Sequence, residues 1–209
     1  MGLTLSELYL CAVDRLAAEL IDEFVRMVAW WAEKIRADEA AAGGPMKLGS
    51  LRGRYYKEWV KEWPGWNKQL AHTSAVQALN RLKAYKPPDR RPADADLAAQ
   101  AAVVHPAMIR IEGGFMKVSV RRGSGPLYER SRVKLTPLSW LGAALLRQAE
   151  AGIWSLGQAV LTRRWAILTF TSEEINSGTI ALIDELLKEA ERNNYALRSP
   201  LSKGATYYK

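Results

Sequence analysis

The chain has 209 residues, of which 48% are hydrophobic and 25% charged, a balance typical of a soluble globular protein with one large domain or two small ones. No apolar run reaches the length of a membrane span, and residues 1–10 lack the basic start and apolar core of a signal peptide. The single Cys11 excludes an intramolecular disulfide and a cysteine-rich zinc site. We therefore expect a cytoplasmic protein without a metal or other cofactor, in which Cys11 is a small core residue.

The net charge of +8 is distributed unevenly along the chain. Residues 1–46 carry four basic and eight acidic groups, residues 47–92 eleven and three, and residues 110–134 seven and two. A positive field confined to two segments suits a polyanion such as nucleic acid better than evenly spread charge would. A basic surface that serves only solubility is the alternative.

Helical periodicity dominates the N-terminal part of the chain. From Thr4 to Ala42, apolar residues recur at helical spacing, which predicts one long helix, or two with a break, that ends at Gly43. Residues 48–60 predict a second helix, and Trp63-Pro64-Gly65-Trp66 predicts a turn.

A third helix is predicted from a cap at Thr73 or Ser74 to Pro87-Pro88. The polar, Ala-rich stretch that follows predicts a linker over residues 93–104. We expect this linker to be flexible or exposed, with a packed helix over residues 95–104 as the alternative.

After residue 104 the apolar spacing shortens to that of strands, with turn residues between the stretches. The sequence predicts a hairpin around Gly113-Gly114, a loop at residues 123–126, a strand at residues 132–135, a helix over residues 138–151 capped by Thr136, a hairpin through Arg163-Arg164, and a C-terminal amphipathic helix over residues 180–193.

These elements predict an α+β protein. An N-terminal helical, basic domain over residues 1–92 would be joined by the linker to a β-barrel-like domain over residues 105–209. The second domain would contain one helix and would end in the C-terminal helix and a tail.

A series of short motifs occurs in a fixed order: SAVQALNRL at residues 74–82, VHPAMIRIEGG at 104–114, KVSV at 117–120, VKLT at 133–136 and GIWSLGQAVL at 152–161, followed by RWAIL at 164–168. Their order over residues 20–175 resembles the front half of archaeal TnpB/OrfB proteins, which are transposon-encoded RNA-guided nucleases related to compact type V CRISPR effectors. The resemblance implies a helical recognition domain joined to a wedge-like or OB-like β-barrel, which together hold guide RNA and target DNA.

Three departures from this family pattern stand out. The chain is expected to open with a helix, whereas the family opens with a barrel strand. The family's nuclease domain and zinc ribbon should follow, but the sequence ends at Lys209, and Glu174 replaces the first catalytic Asp. Cleavage by two metals needs several converging carboxylates, so we expect no enzymatic activity. Glu173 and Glu174 would then only complement the N-terminus of a helix.

The expected function is binding of RNA or an RNA–DNA duplex, mainly through phosphates. From the helical part, the predicted contacts are Arg52, Arg54, Lys57, Lys61, Lys68, Arg81, Lys83, Arg90 and Arg91. From the barrel part, they are Arg121, Arg122, Arg130, Arg132 and Lys134.

Other side chains would assist these cations. Tyr55, Tyr56 and Trp63 are candidate platforms for base stacking, with core packing as the alternative. Asn67, His72, Gln77 and Asn80 are candidate hydrogen-bond partners, with helix capping or plain solvent exposure as the alternative. His105 before Pro106 indicates a turn or packing feature rather than a metal ligand.

Two other functions fit the sequence. One is a double-stranded DNA-binding regulator, and the other is an interaction subunit whose tryptophan-rich surface joins a partner that supplies a nuclease half.

Overall fold

The computed structural model describes residues 3–44, 47–84, 101–122 and 127–172, together with Asp184, Glu185 and Lys188. Several expectations lie outside these residues: the stop at Pro87-Pro88, Arg90 and Arg91, residues 93–100 of the linker, the loop at residues 123–126, Glu173 and Glu174, and most of the C-terminal amphipathic segment.

The described elements begin with one strand, continue with three helices and end with a series of strands that is interrupted by one helix. The strands are β1 (Leu3–Ala12), β2 (Ala102–Val104), β3 (Ile109–Glu112), β4 (Phe115–Arg122), β5 (Tyr128–Pro137), β6 (Ser155–Leu161) and β7 (Trp165–Ser172). The helices are α1 (Arg15–Ala42), α2 (Leu48–Glu62), α3 (Gln69–Ala84) and α4 (Trp140–Glu150), with a short 3-10 turn at Pro106–Met108.

The seven strands form one curled, antiparallel, half-barrel sheet in the order β2-β6-β7-β1-β5-β4-β3. Its middle strand, β1, comes from the start of the chain. On one side β1 pairs with β5, with Cys11 opposite Leu135. On the other side the Cys11 amide donates to the Arg164 carbonyl over 2.9 Å. The fold class is therefore α+β, as predicted.

The expectation of a helix from Thr4 was wrong, because residues 3–12 form β1. Tyr9 is fully buried in this strand, whereas its neighbours Leu8 and Leu10 are exposed. Leucines on the solvent face of the strand break the usual alternation of apolar and polar residues and imitate helical spacing. The helix begins only after Asp14, whose carboxylate accepts from the Ala17 amide over 2.7 Å and caps α1.

The predicted end of α1 and the second helix are confirmed. Gly43 adopts a φ of 66°, and its amide donates to the Glu39 carbonyl over 2.9 Å, which closes the last turn. Helix α2 begins at Leu48, as predicted, and runs to Glu62. The predicted turn follows it, with Gly65 at a φ of 83°.

The predicted cap of the third helix was wrong. Thr73 and Ser74 lie inside α3, where their hydroxyls donate to the carbonyls of Gln69 and Leu70 one turn earlier. The helix start is capped instead by Asn67, whose side-chain oxygen accepts from the Gln69 amide over 3.1 Å.

The predicted linker ends earlier than residue 104, because Ala102–Val104 forms β2. This strand pairs with β6, and all three of its residues are buried. The apolar residues Val103 and Val104 are thus part of the core rather than of a connection.

Both predicted hairpins are confirmed. Gly113 and Gly114 have φ values of 59° and 73°, which only glycine adopts readily at two successive positions, and they join β3 to β4. The turn at Arg163-Arg164 joins β6 to β7.

The predicted cap of the next helix was wrong by three residues. Strand β5 continues through Pro137, and Ser139 caps α4 by accepting from the Gly142 amide over 2.9 Å. The helix end near Gly152, which has a φ of 74°, is as predicted.

Residues 4–171 form one compact unit, so β1 belongs to the sheet although the sequence placed it in the helical domain. No helix in the described part of the chain is long and apolar enough to cross a membrane.

Candidate nucleic-acid interface

The part of the sheet formed by β4 and β5 has one apolar face and one polar face. Met116, Val118 and Val120 of β4 are buried, as are Val133 and Leu135 of β5. Successive side chains of a strand point to opposite sides, so the residues between these positions lie on the other face.

That other face carries rows of cations. The register pairs Arg110 of β3 with Lys117 of β4, and Lys117 with Arg132 of β5. Further along β5, Arg130 lies opposite Ser119 and Lys134 opposite Phe115. We call the set of Arg110, Lys117, Arg130, Arg132 and Lys134 the basic sheet face.

One carboxylate lies within this face. Glu112 pairs with Lys117 over 2.6 Å. The hydrogen bond from Lys117 lowers the pKa of Glu112, and the charges of Lys117, Arg130 and Arg132 add to the effect. Among the described residues, no carboxylate forms an ion pair with Arg110, Arg130, Arg132 or Lys134. The face therefore keeps a net positive charge.

Arg132 is held in place on the basic sheet face. Its guanidinium carbon lies 4.5 Å from the centre of the Phe115 ring, a cation–π contact. Its backbone amide donates to the Asp14 carboxylate over 2.6 Å, which ties β5 to the start of α1.

Arg121, a predicted phosphate contact, is engaged within the protein. It pairs with Glu19 of α1 and, over 3.0 Å, with Glu129 of β5. These partners raise the pKa of Arg121, with the Glu129 hydrogen bond as the largest cause. Arg121 thus connects α1 to the sheet, and two carboxylates offset its positive charge. Its neighbour Arg122 is exposed and lies 5.8 Å from the Tyr128 ring.

The predicted cations of the helical part lie on α2 and on or next to α3. Arg52, Lys57 and Lys61 are exposed on α2, with Glu58 and Glu62 beside them. The exposed residues Lys68, Asn80 and Lys83 and the half-buried residues Gln77 and Arg81 lie on or next to α3.

Arg54 and Tyr55 hold a buried carboxylate. Asp38 is only 6% exposed, and its Oδ1 accepts from the Arg54 guanidinium and the Tyr55 hydroxyl, each over 2.7 Å. These two predicted ligand contacts therefore fasten α2 to α1.

The candidate stacking residues pack against other aromatic rings. The Tyr56 ring is parallel to Trp59 within 6° at 6.5 Å, and Trp63 lies 5.7 Å from Trp59. Trp63 is 5% exposed and donates through Nε1 to Glu23 over 3.0 Å. The structure supports core packing, the alternative to base stacking, for Trp63. Tyr55 and Tyr56 are half-buried.

Asn67 makes structural contacts within the protein. Besides capping α3, it is 8% exposed and donates through its amide nitrogen to the Ser119 carbonyl over 3.0 Å. His72 is half-buried, and its Nδ1 lies 3.4 Å from the Arg52 guanidinium. His105 accepts from the Ala107 amide over 3.2 Å and so forms the turn feature that the sequence predicted.

The sequence prediction missed Arg110 and Lys117 as members of the basic sheet face, and Phe115 as the ring that contacts Arg132. A signal for them was present, since a two-residue turn at Gly113-Gly114 places Arg110 opposite Lys117.

Neither a comparison with protein-family models nor a search of curated proteins found a match for this chain. Within the described residues, no group of three or more His, Cys, Asp or Glu side chains is placed to hold a metal ion.

Proposed function

We propose that the basic sheet face binds the sugar–phosphate backbone of RNA or of an RNA–DNA duplex. The observation that carries this proposal is a row of five cations across the adjacent strands β3, β4 and β5, in which only Lys117 forms an ion pair with a carboxylate among the described residues. Arginine and lysine in such a cluster supply most of the affinity of a protein for phosphates.

The size of the face fits several phosphates. Arg130 and Lys134 are four residues apart on β5, which corresponds to ~13 Å along the strand. Three adjacent strands add ~10 Å across the sheet. At about 3.4 Å of axial rise per phosphate of one strand, the length along β5 corresponds to about four phosphates.

We propose that this binding is not accompanied by cleavage. The face consists of guanidinium and ammonium groups, which donate hydrogen bonds but provide neither a general base at neutral pH nor a ligand for a metal ion. Glu112, the carboxylate that the described residues place among these cations, is paired with Lys117.

We further propose that the chain is related to the front half of TnpB/OrfB proteins, with the curled sheet as a wedge-like barrel, and that it acts in the cytoplasm. The order of the sequence motifs supports this relationship. The strand β1 supports it too, because the sheet begins with a strand at the position where the family has one.

The test is a binding panel with the full chain and four fluorescent ligands of equal length and sequence: single-stranded RNA, RNA duplex, RNA–DNA duplex and DNA duplex. We expect the RNA–DNA duplex or an RNA ligand to bind about tenfold more tightly than DNA duplex. Preference for the DNA duplex would support a DNA-binding regulator instead.

A matched pair of variants separates the face from net charge. Arg130→Gln with Lys134→Gln removes two cations from the basic sheet face. The control, Arg36→Gln with Arg147→Gln, removes two exposed cations from α1 and α4. We expect only the first pair to weaken binding strongly, and equal losses would contradict a specific role of the face.

A second candidate function, an interaction subunit, is favoured by exposed apolar side chains. Leu8 and Leu10 of β1 are 44% and 50% exposed, and Trp165 of β7 is 38% exposed. Trp31, Trp59 and Trp154 are buried, so among the described tryptophans a partner would contact others, such as Trp165. Replacing Leu8 and Leu10 with Thr and measuring co-purification of a partner would test this function.

A further inference from the structure

An aromatic ring lies at one end of the basic sheet face. Tyr128 is two residues from Arg130 on β5, and side chains two residues apart on a strand share a face. The register places Arg122 of β4 opposite Tyr128. The neighbouring pair, Arg121 and Glu129, lies on the other side of the sheet, where Arg121 also pairs with α1. Tyr128 and Arg122 therefore extend the basic sheet face.

The contact between Arg122 and Tyr128 is a loose one. The guanidinium carbon of Arg122 lies 5.8 Å from the centre of the Tyr128 ring, close to the ~6 Å limit of a cation–π contact. Arg122 is exposed and Tyr128 is half-buried. Among the described residues, no carboxylate forms an ion pair with Arg122. Both the ring and the cation are thus accessible to a ligand.

The other tyrosines that the structure describes are engaged in packing. Tyr9 is fully buried, Tyr55 donates its hydroxyl to a buried carboxylate, and the ring of Tyr56 is parallel to that of a tryptophan. Tyr128 differs from them because its described ring contact is with a surface cation. Proteins that bind single-stranded nucleic acid combine cations, which follow the backbone, with aromatic rings on which the bases stack. The end of the basic sheet face has both kinds of group.

We propose that Tyr128 is a base-stacking position and that the RNA bound there is single-stranded. An unpaired base stacks on the Tyr128 ring, and Arg122 contacts a phosphate beside it. Bases inside a duplex are covered on both faces by their neighbours, so a duplex cannot use this position. This inference rests on the proposed function, because the basic sheet face holds the phosphates of the same strand.

The experiment compares two ligands of the full chain by fluorescence anisotropy. One is a short, unstructured RNA of mixed sequence, and the other is a ribose–phosphate strand of the same length and charge that lacks the bases. Tyr128→Leu should weaken binding of the RNA by about fivefold or more, because stacking of one base on an aromatic ring contributes at least that factor. The same variant should bind the base-free strand as the natural chain does, which also shows that it is folded.

Two further variants separate the ring from the charge. Tyr128→Phe, the matched control, keeps the ring and should bind both ligands like the natural chain. Arg122→Gln should weaken both ligands and flatten the dependence of affinity on salt by about 0.7 units of logarithmic slope, whereas Tyr128→Leu should leave the slope unchanged. An unchanged affinity of Tyr128→Leu for the RNA, or an equal loss for the two ligands, would overturn the proposal.

A measurement on the natural chain needs no substitution. RNA that contains 5-iodouridine forms a crosslink, when irradiated, to an aromatic ring stacked on the modified base. With the modified base placed at each position of the RNA in turn, mass spectrometry should find a crosslink to Tyr128. Crosslinks to other residues alone would contradict stacking on this ring.

Failure of this inference and failure of the proposed function give different results. If Arg130→Gln with Lys134→Gln leaves the affinity for both ligands unchanged, the proposed function fails, and the inference fails with it. If that variant weakens both ligands while Tyr128→Leu weakens neither, the basic sheet face binds phosphates and only the stacking position is wrong.

Discussion

The guanidinium carbon of Arg132 lies 4.5 Å from the centre of the Phe115 ring on the neighbouring strand. The ring holds the long arginine side chain against the sheet before any ligand is present. A phosphate that binds there immobilises a side chain that is already partly ordered, so less conformational entropy is lost on binding.

This contact predicts different effects for its two members. Phe115→Leu keeps every charge, and loss of a cation–π contact of about 0.5–1 kcal/mol should weaken RNA binding by about two- to fivefold. Arg132→Gln removes a phosphate contact and should also flatten the dependence of RNA affinity on salt by about 0.7 units of logarithmic slope. Anisotropy titrations at several salt concentrations distinguish the two, and a changed slope in Phe115→Leu would contradict this role of the ring.

Arg121 should matter for folding rather than for binding. Its ion pairs with Glu19 and Glu129 are partly exposed, so Arg121→Gln should lower the free energy of unfolding by about 1 kcal/mol. Chemical denaturation measures this loss. The RNA affinity of the folded Arg121→Gln variant should fall far less than that of Arg132→Gln. An equal fall in affinity would indicate that Arg121 contacts RNA.

Asn67 should behave as a structural residue with two separable contacts. Asn67→Ala removes the cap of α3 and the bond to the Ser119 carbonyl, and should lower the free energy of unfolding by about 2 kcal/mol. Asn67→Ser retains a capping oxygen and should lose less. Equal losses in denaturation curves of the two variants would show that the cap contributes nothing.

The thiol of Cys11 should react slowly with alkylating reagents. Burial raises its pKa from 9.0 to about 11, and its Sγ lies 3.4 Å from the Thr162 carbonyl. At about pH 8 its thiolate fraction is about a hundredfold smaller than in the unfolded chain, so alkylation by iodoacetamide should be slower by about that factor. The rate should rise about tenfold per pH unit up to the raised pKa. Equal rates in folded and urea-unfolded protein would contradict the burial of the thiol.

The sequence was sufficient for elements whose signals are local. Helix α2 follows from its apolar spacing, and the β3–β4 hairpin follows from two adjacent glycines. Local signals did not predict the correct helix cap where two residues could cap the helix equally well. Thr73 and Asn67 are both good caps, and only the packing of α3 on the sheet makes Asn67 the one that is used.

The rest depends on contacts between distant parts of the chain. Strand β1 was hidden because Leu8 and Leu10 place apolar residues on its exposed face. The sequence suggested that Arg121 was free to contact phosphate, because its partner Glu19 is 102 residues away in the sequence. The charge clusters indicated that the chain has basic segments, but only the register of β3, β4 and β5 shows which cations share a face.

The central claim is that the cations of the basic sheet face contact phosphates. Its most direct measurement is the slope of log affinity against log salt for RNA, in the natural chain and in the triple variant Arg130→Gln, Arg132→Gln and Lys134→Gln. Each lost contact to a single strand reduces the slope by about 0.7, so the triple variant should be flatter by about two units. The control Arg36→Gln with Arg147→Gln should keep the slope of the natural chain. A triple variant with an unchanged slope would contradict the claim.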